Sequence, residues 1–81
     1  MKIKVTAIIL KYKTDCKVLS QHLKDIGVDE VIIVDNSKYN RGTAGGFAQG
    51  MIQVKTGWIW LFDEDNFPTS DCLDIIKKWL K

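Results

Sequence analysis

The chain has few prolines, and few of the histidines and cysteines that form zinc sites and disulfide bonds in small proteins. Its 81 residues include one proline, Pro68, one histidine, His22, and two cysteines, Cys16 and Cys72. The cysteines lie far apart, each in the first turn of a predicted helix, and a single histidine does not complete a zinc-binding spacing. Both are expected to be reduced thiols. The sequence therefore argues against a zinc module and a disulfide framework.

An excess of one charge and long apolar runs are lacking as well. Twelve basic and ten acidic residues leave a net charge of +2, which argues against an electrostatic nucleic-acid binder. The longest apolar runs, residues 7–10 and 57–62, fall short of the about 18 residues that span a bilayer. No small-residue cleavage site follows the first residues, so we expect no secretory signal and a cytoplasmic location.

The length predicts one small domain over residues 1–81. A domain of this size has a thin core, so oligomerisation would add stability, and we expect a homo-oligomer. Strands are predicted over residues 3–11, 30–35 and 58–62, where β-branched and aromatic residues are concentrated. The unbroken apolar run of the second strand is typical of a strand covered on both faces.

Three helices are predicted between and after these strands. The first has Thr14 or Asp15 as its expected N-cap and ends at Gly27. The second is expected over about residues 43–56, and the third begins after Pro68, capped by the polar cluster that follows it. Their apolar stripes are Leu19, Leu23 and Ile26; Phe47, Met51 and Val54; and Leu73, Ile76, Trp79 and Leu80.

Alternating strands and helices predict an α/β fold, a three-layer βαβαβα unit with a short parallel sheet. With right-handed crossovers and strand order 2-1-3, the chain reverses direction at the centre of the sheet. Ligands of open α/β sheets bind beyond the carboxyl ends of the strands. Polar and acidic residues occupy those ends, at residues 11–14, 35–37 and 63–66. We expect Asp35, Asp63 and Asp65 to converge on one crevice.

Carboxylates held close together repel each other unless a cation lies between them. Mg²⁺ or Mn²⁺ bound by one or two carboxylates and a substrate diphosphate is the usual arrangement. Acidic residues after strands also serve as turn formers or helix caps. The pattern Asp63-Glu64-Asp65 by itself leaves both interpretations open.

Four stretches of the chain form an ordered series. They are residues 7–12 (AIILKY), 31–37 (VIIVDNS), 40–47 (NRGTAGGF) and 58–65 (WIWLFDED). The series resembles the family 2 glycosyltransferases of the GT-A fold, most closely their rhamnosyltransferase-like members. The family has an opening strand, a V-D-N-x-S strand end, an N-x-G-x-A-G-G-F element and a W-x-W-L-x-D-D-D strand in the same order. Pro68 and Asp71 resemble the P-x-x-D-A-L helix start that follows.

The resemblance implies a truncated GT-A or Rossmann-like half that binds a nucleotide-diphospho-sugar through a divalent metal, Mn²⁺ or Mg²⁺. It implies that Asp35 accepts a hydrogen bond from the nucleotide base. Asp63 would lie near the ribose or the metal, and Asp65 would coordinate the ion on the diphosphate. The other pocket residues that it implies are Asn40, Gly42, Ala44, Gly45 and Gly46. Close packing of helix on sheet is the alternative explanation of the glycines.

The chain departs from the family in two ways. Only residues 38–39 separate the second and third stretches, where the family has a further helix and strand. A sheet edge is therefore expected to be bare or paired with another copy. The acceptor-binding half, with its catalytic base, also has no counterpart. His22 is expected to point away from the crevice, and the orientation of Glu64 is left open.

Two functions follow as alternatives. Glycosyl transfer is expected only with self-association or a partner, so the sequence leaves open whether the chain is an enzyme. The alternative is a non-catalytic oligomeric scaffold or regulatory domain derived from a glycosyltransferase. Its interface would be anchored by aromatic residues, namely Tyr39, Trp58, Trp60 and Phe67. A receiver-like or flavodoxin-like protein shares the architecture, but its chain would be longer.

Overall fold

The computed structural model describes residues 3–38, 40 and 42–80. In chain order the elements are β1 (Val5–Lys11), α1 (Lys17–Asp25), β2 (Glu30–Asp35), α2 (Gly42–Met51), β3 (Trp58–Asp63) and α3 (Cys72–Trp79). The expected interface residue Tyr39 and the Arg41 of the third stretch lie outside the described residues. No helix in the described part of the chain is both long and apolar enough to cross a membrane.

The three strands form a parallel sheet in the order β2-β1-β3. This confirms the predicted topology. In the register of the sheet, Ala7 of β1 lies between Val31 of β2 and Trp60 of β3. The central strand is buried along residues 5–10, because it has a neighbour on each edge and helices on both faces.

Helices cover the two faces of the sheet unequally. On one face, called the α1–α3 face, β1 packs with α1 and α3 in a cluster that contains Val5, Ala7, Ile9, Leu19, Leu23, Phe62 and Leu73. On the opposite face, called the α2 face, the cluster consists of Ile8, Leu10, Ile32 and Val34 with Phe47 of α2 packed on it. The structure therefore confirms the three-layer α/β fold.

Helix α2 lies unusually close to the sheet, because two of its glycines face β1 and β2. A Cβ atom on Gly46 would lie 2.6 Å from Asn36 Nδ2, and one on Gly50 would lie 2.7 Å from Ile8 Cγ2. Close helix-to-sheet packing thus accounts for both glycines. The helix ends at Met51, earlier than predicted, and Val54 packs on the same core from the turn that follows.

Two expectations about helix ends and faces are wrong. The N-cap of α1 is Cys16, at φ +61°, and not Thr14 or Asp15, although the Asp15 carboxylate accepts a hydrogen bond from the backbone nitrogen of Lys17 at 3.1 Å. Trp79 of α3 is 85% exposed. At about 100° per residue, Trp79 lies well off the stripe that begins at the buried Leu73 and points into solvent.

Candidate functional site

An open cleft lies at the carboxyl edge of the sheet, between the loop that follows β1 and the loop that follows β3. It has a volume of about 550 Å³ and is lined by Tyr12, Lys13, Thr14, Asp63, Glu64, Asp65 and Phe67. Six of these seven residues come from two runs of three, 12–14 and 63–65. The parallel sheet places these two runs side by side, because β1 and β3 are hydrogen-bonded neighbours.

The two predicted metal ligands line this cleft together. Asp63 is the last residue of β3, opposite Leu10, and Asp65 follows in a turn closed by a hydrogen bond of 3.1 Å from the Asn66 nitrogen to the Asp63 carbonyl. Within residues 3–38, 40 and 42–80, neither carboxylate makes a hydrogen bond or an ion pair. The same residues contain no cluster of three or more acidic, histidine or cysteine side chains that could hold a metal ion.

The middle residue of the acidic triplet has a different role. The Glu64 carboxylate accepts hydrogen bonds from three successive backbone N–H groups, those of Tyr12, Lys13 and Thr14, at 2.9, 3.0 and 3.0 Å. The Thr14 hydroxyl adds a fourth donor at 3.2 Å. Successive N–H groups that converge in this way form a concave anion site, often called a nest. Here the protein's own carboxylate fills it.

These donors stabilise the ionised form of Glu64. Hydrogen bonds from the Tyr12 and Thr14 backbones lower the pKa of the Glu64 carboxyl from 4.5 to about 2. A carboxylate with so low a pKa is a poor proton acceptor near neutral pH. The sequence left the orientation of Glu64 open, and the geometry makes it a structural tie between two loops.

The expectation that Asp35 shares a crevice with Asp63 and Asp65 is wrong. Asp35 lies opposite Lys11 in the register, whereas Asp63 lies opposite Leu10. Side chains alternate between the faces of a sheet, so this offset of one residue sends Asp35 to the α1–α3 face and Asp63 to the α2 face. Asp35 is not among the residues that line the cleft.

The Asp35 carboxylate is instead used locally. It accepts hydrogen bonds from the Ser37 backbone nitrogen, at 2.8 Å, and from the Ser37 hydroxyl, and it lies 3.8 Å from Lys11 Nζ. These hydrogen bonds from Ser37 lower the pKa of the Asp35 carboxyl, and the charge of Lys11 contributes further. The arrangement is that of a turn-forming aspartate at a strand end.

Asn36 supports the cleft, although the sequence did not predict a role for it there. It is fully buried at the end of β2, and its Nδ2 donates to the Tyr12 hydroxyl and to the Gly42 carbonyl, both at 3.2 Å. Its backbone nitrogen donates to the Lys11 carbonyl at 2.8 Å. Asn36 thereby ties Tyr12 of the cleft to the start of α2. The available signal was a small amide directly after the apolar run of the second strand.

The other predicted pocket residues lie at the start of α2. The Asn40 side-chain oxygen accepts a hydrogen bond from the Gly42 nitrogen at 2.7 Å. Gly42 has φ +73°, in the left-handed region that favours glycine. Ala44 is exposed, Gly45 is half-buried and Gly46 is packed against Asn36. None of these five lines the cleft; they are joined to it through Asn36 and Tyr12.

His22 lies outside the cleft, as expected. Its Nε2 lies 2.7 Å from the Pro68 carbonyl oxygen, and its ring lies 6.0 Å from that of Phe67. Because a carbonyl only accepts hydrogen bonds, Nε2 carries the proton in this contact. The histidine therefore anchors the loop between β3 and α3 on α1.

Comparisons of the chain with models of protein families, with curated proteins and with solved structures found no match.

Proposed function

We propose that the chain is a glycosyltransferase-like domain that binds a nucleotide-diphospho-sugar through a divalent metal at Asp63 and Asp65. One observation carries the proposal: these two carboxylates line a single open cleft, and neither makes a hydrogen bond or ion pair within the described residues. Their position beyond the carboxyl ends of parallel strands is where ligands of open α/β sheets bind. The choice of a nucleotide-diphospho-sugar as the ligand comes from the resemblance of the four ordered stretches to family 2 glycosyltransferases.

The donor set at the cleft suits a hard cation. Mg²⁺ is usually held by one or two carboxylates and completes its shell with water and substrate phosphates, so a protein cluster of three ligands is not required. When bound, the metal would neutralise the charge of the departing diphosphate. Asp35 faces the other side of the sheet and accepts hydrogen bonds from Ser37, so the proposal assigns it no contact with the nucleotide.

Apart from the proposed metal ligands Asp63 and Asp65, the described residues place no free general base at the cleft. Glu64 is held by the loop backbone, and His22 by the Pro68 carbonyl. General-base catalysis needs an acceptor hydroxyl within hydrogen-bond reach of the base. We therefore propose that any glycosyl transfer depends on self-association or on a partner that brings the acceptor and the base.

Calorimetry with a panel of nucleoside diphosphates, with and without Mn²⁺, tests the donor site. We expect binding that depends on the metal and that Asp65→Asn weakens at least tenfold. Asp74→Asn is the matched control, because it makes the same charge change on α3, and Asp74 does not line the cleft. Binding without metal dependence, or an equal loss in both variants, would refute the proposal.

The second candidate is an oligomeric scaffold without catalysis. The observation that favours it is the exposure of large apolar side chains on β3, where Trp58, Ile59 and Leu61 are 45%, 40% and 42% exposed. Exposed apolar surface of this kind marks interaction sites. A chain that self-associates but binds no nucleotide with Mn²⁺ would support this second function over the first.

A further inference from the structure

Strand β3 has an unprotected edge. It pairs with β1 on one side only, and the sheet that the structure describes ends there. Edge strands of natural proteins are usually protected by lysine, proline, a bulge or a covering element. Residues 57–62 contain no charged residue and no proline. This edge therefore presents unpaired backbone groups next to apolar side chains.

The α2 face of β3 is uncovered as well. Ile8 of β1 is fully buried under α2, whereas its neighbour in the register, Leu61, is 42% exposed, and Ile59 is 40% exposed. The reason is that α2 packs mainly on β1 and β2. Two aliphatic side chains at the edge are thus only partly covered, and a neighbouring element would cover them further.

The ends of β3 carry opposite charges. Lys55 lies shortly before the strand, and Asp63 and Asp65 lie at its end. In an antiparallel pair of two β3 strands, the basic end of each copy meets the acidic end of the other. A pairing centred on Trp60 sets Ile59 opposite Leu61 in both halves. It also brings Lys55, which precedes the strand of one copy, near Asp65 in the turn that follows the strand of the other. Opposite charges and apolar side chains in facing positions stabilise a strand pair.

Strand β2, at the other edge of the sheet, has acidic residues at both ends. Asp29 and Glu30 lie at the start of β2, and Asp35 lies at its end. These charged side chains protect the β2 edge from pairing, and Asp35 is already paired with Lys11. Residues 57–62 carry no charge, so β3 is the edge that is open to self-pairing. Pairing of identical edges is also closed by a two-fold axis, whereas β2 on β3 would give an open chain of copies.

We infer that the chain dimerises through β3, with two copies pairing antiparallel about Trp60 into one continuous sheet. Ile59 and Leu61 of both copies form a shared apolar patch on the α2 face. Lys55 of each copy lies beside Asp65 of the other, so each cleft gains a basic group from the second copy. The inference does not depend on nucleotide binding, because it rests on the edge, the exposed side chains and the end charges alone.

Sedimentation equilibrium without nucleotide or metal tests the dimer. We expect the wild-type chain to have twice the 9.2 kDa mass of one copy. Leu61→Lys should weaken the dimer at least tenfold, because it places a charge in the shared patch. Ile33→Lys is the matched control, since Ile33 is 40% exposed on the opposite edge strand, and it should leave the mass unchanged.

Charge reversal gives a second test that does not disturb the core. Lys55→Glu should weaken the dimer severalfold, and addition of Asp65→Lys should restore it. A monomeric wild-type chain at millimolar concentration would overturn the inference. So would a dimer that Ile33→Lys dissociates and Leu61→Lys does not, or a double variant that stays as weak as Lys55→Glu. None of these outcomes bears on nucleotide binding, so the donor site is tested separately.

Discussion

The carboxylate of Glu64 lies 2.9 Å from the backbone nitrogen of Tyr12, a residue 52 positions earlier in the chain. This contact and its neighbours tie the loop after β1 to the loop after β3. Of the acidic triplet, the central residue is thereby used for structure, and the two aspartates line the cleft. The shape of the cleft depends on this tie.

Glu64→Gln is expected to destabilise the fold at neutral pH. Glutamine keeps an acceptor oxygen but loses the negative charge that makes hydrogen bonds from three N–H groups strong. We expect a lower midpoint of urea unfolding for this variant. Glu30→Gln serves as the control, because it is the same change at a carboxylate that makes no hydrogen bond within the described residues, and it should leave the midpoint nearly unaltered. Equal midpoints for Glu64→Gln and the wild type would contradict the structural role.

The wild-type chain is expected to lose stability in acid partly through Glu64. Its pKa falls from 4.5 to about 2 on folding, so the folded state binds the proton less readily than the unfolded state. The stabilisation is complete above pH 4.5 and is lost as the pH falls towards 2. Urea midpoints measured across this range should fall less steeply for Glu64→Gln than for the wild type. Parallel curves for the two proteins would show that Glu64 is not the titrating group.

Gly46→Ala is expected to destabilise the fold by about 1–3 kcal/mol, since overpacking a close contact forces neighbouring groups to move. The new methyl group would lie 2.6 Å from Asn36 Nδ2 and 2.8 Å from Leu10 Cδ2. Gly57→Ala is the matched control, because no atom lies within 4 Å of a Cβ there. Its free energy of unfolding should change by about 0.5 kcal/mol or less. The measurement is the free energy of unfolding from urea titration, and similar values for both variants would be evidence against close packing.

Asn36→Ala is expected to cost about 1–3 kcal/mol, because it removes the donor that the buried side chain supplies to the Gly42 carbonyl. Tyr12→Phe removes only the hydroxyl acceptor and should cost about 1 kcal/mol. A double-mutant cycle of the two changes measures their coupling through differences in the free energy of unfolding. Strictly additive effects would mean that the contact between Asn36 and Tyr12 contributes nothing.

Much of the fold could be predicted from the sequence because local pattern and topology agree. Runs of β-branched and aromatic residues locate the three strands, and the short helical crossovers favour the parallel order β2-β1-β3. The end of α2 was harder to predict. Val54 continues the helical spacing of its apolar neighbours, yet the helix ends at Met51 and Val54 reaches the core from a turn. Periodicity identifies residues that are buried, and it does not distinguish the last turn of a helix from the loop beyond.

The site was only partly predictable. Asp63 and Asp65 line a common cleft, as their spacing suggests, but Asp35 faces the other side of the sheet. That difference depends on a register offset of one residue, because each step along a strand reverses the direction of the side chain. The partners of Glu64 and Asn36 lie in distant loops, so no local pattern reveals them.

The sequence by itself determined the elements, their order and the central position of the first strand, since these depend on periodicity and on short connections between neighbours. It did not determine burial, because the apolar run of the second strand predicted coverage on both faces, whereas Ile33 of that edge strand is 40% exposed. Only the tertiary structure decided which carboxylate faces the cleft, which one is bound by a backbone loop, and which edge of the sheet is left uncovered. Those outcomes depend on register and on how far each helix extends over the sheet, and both are set by contacts between residues far apart in the chain.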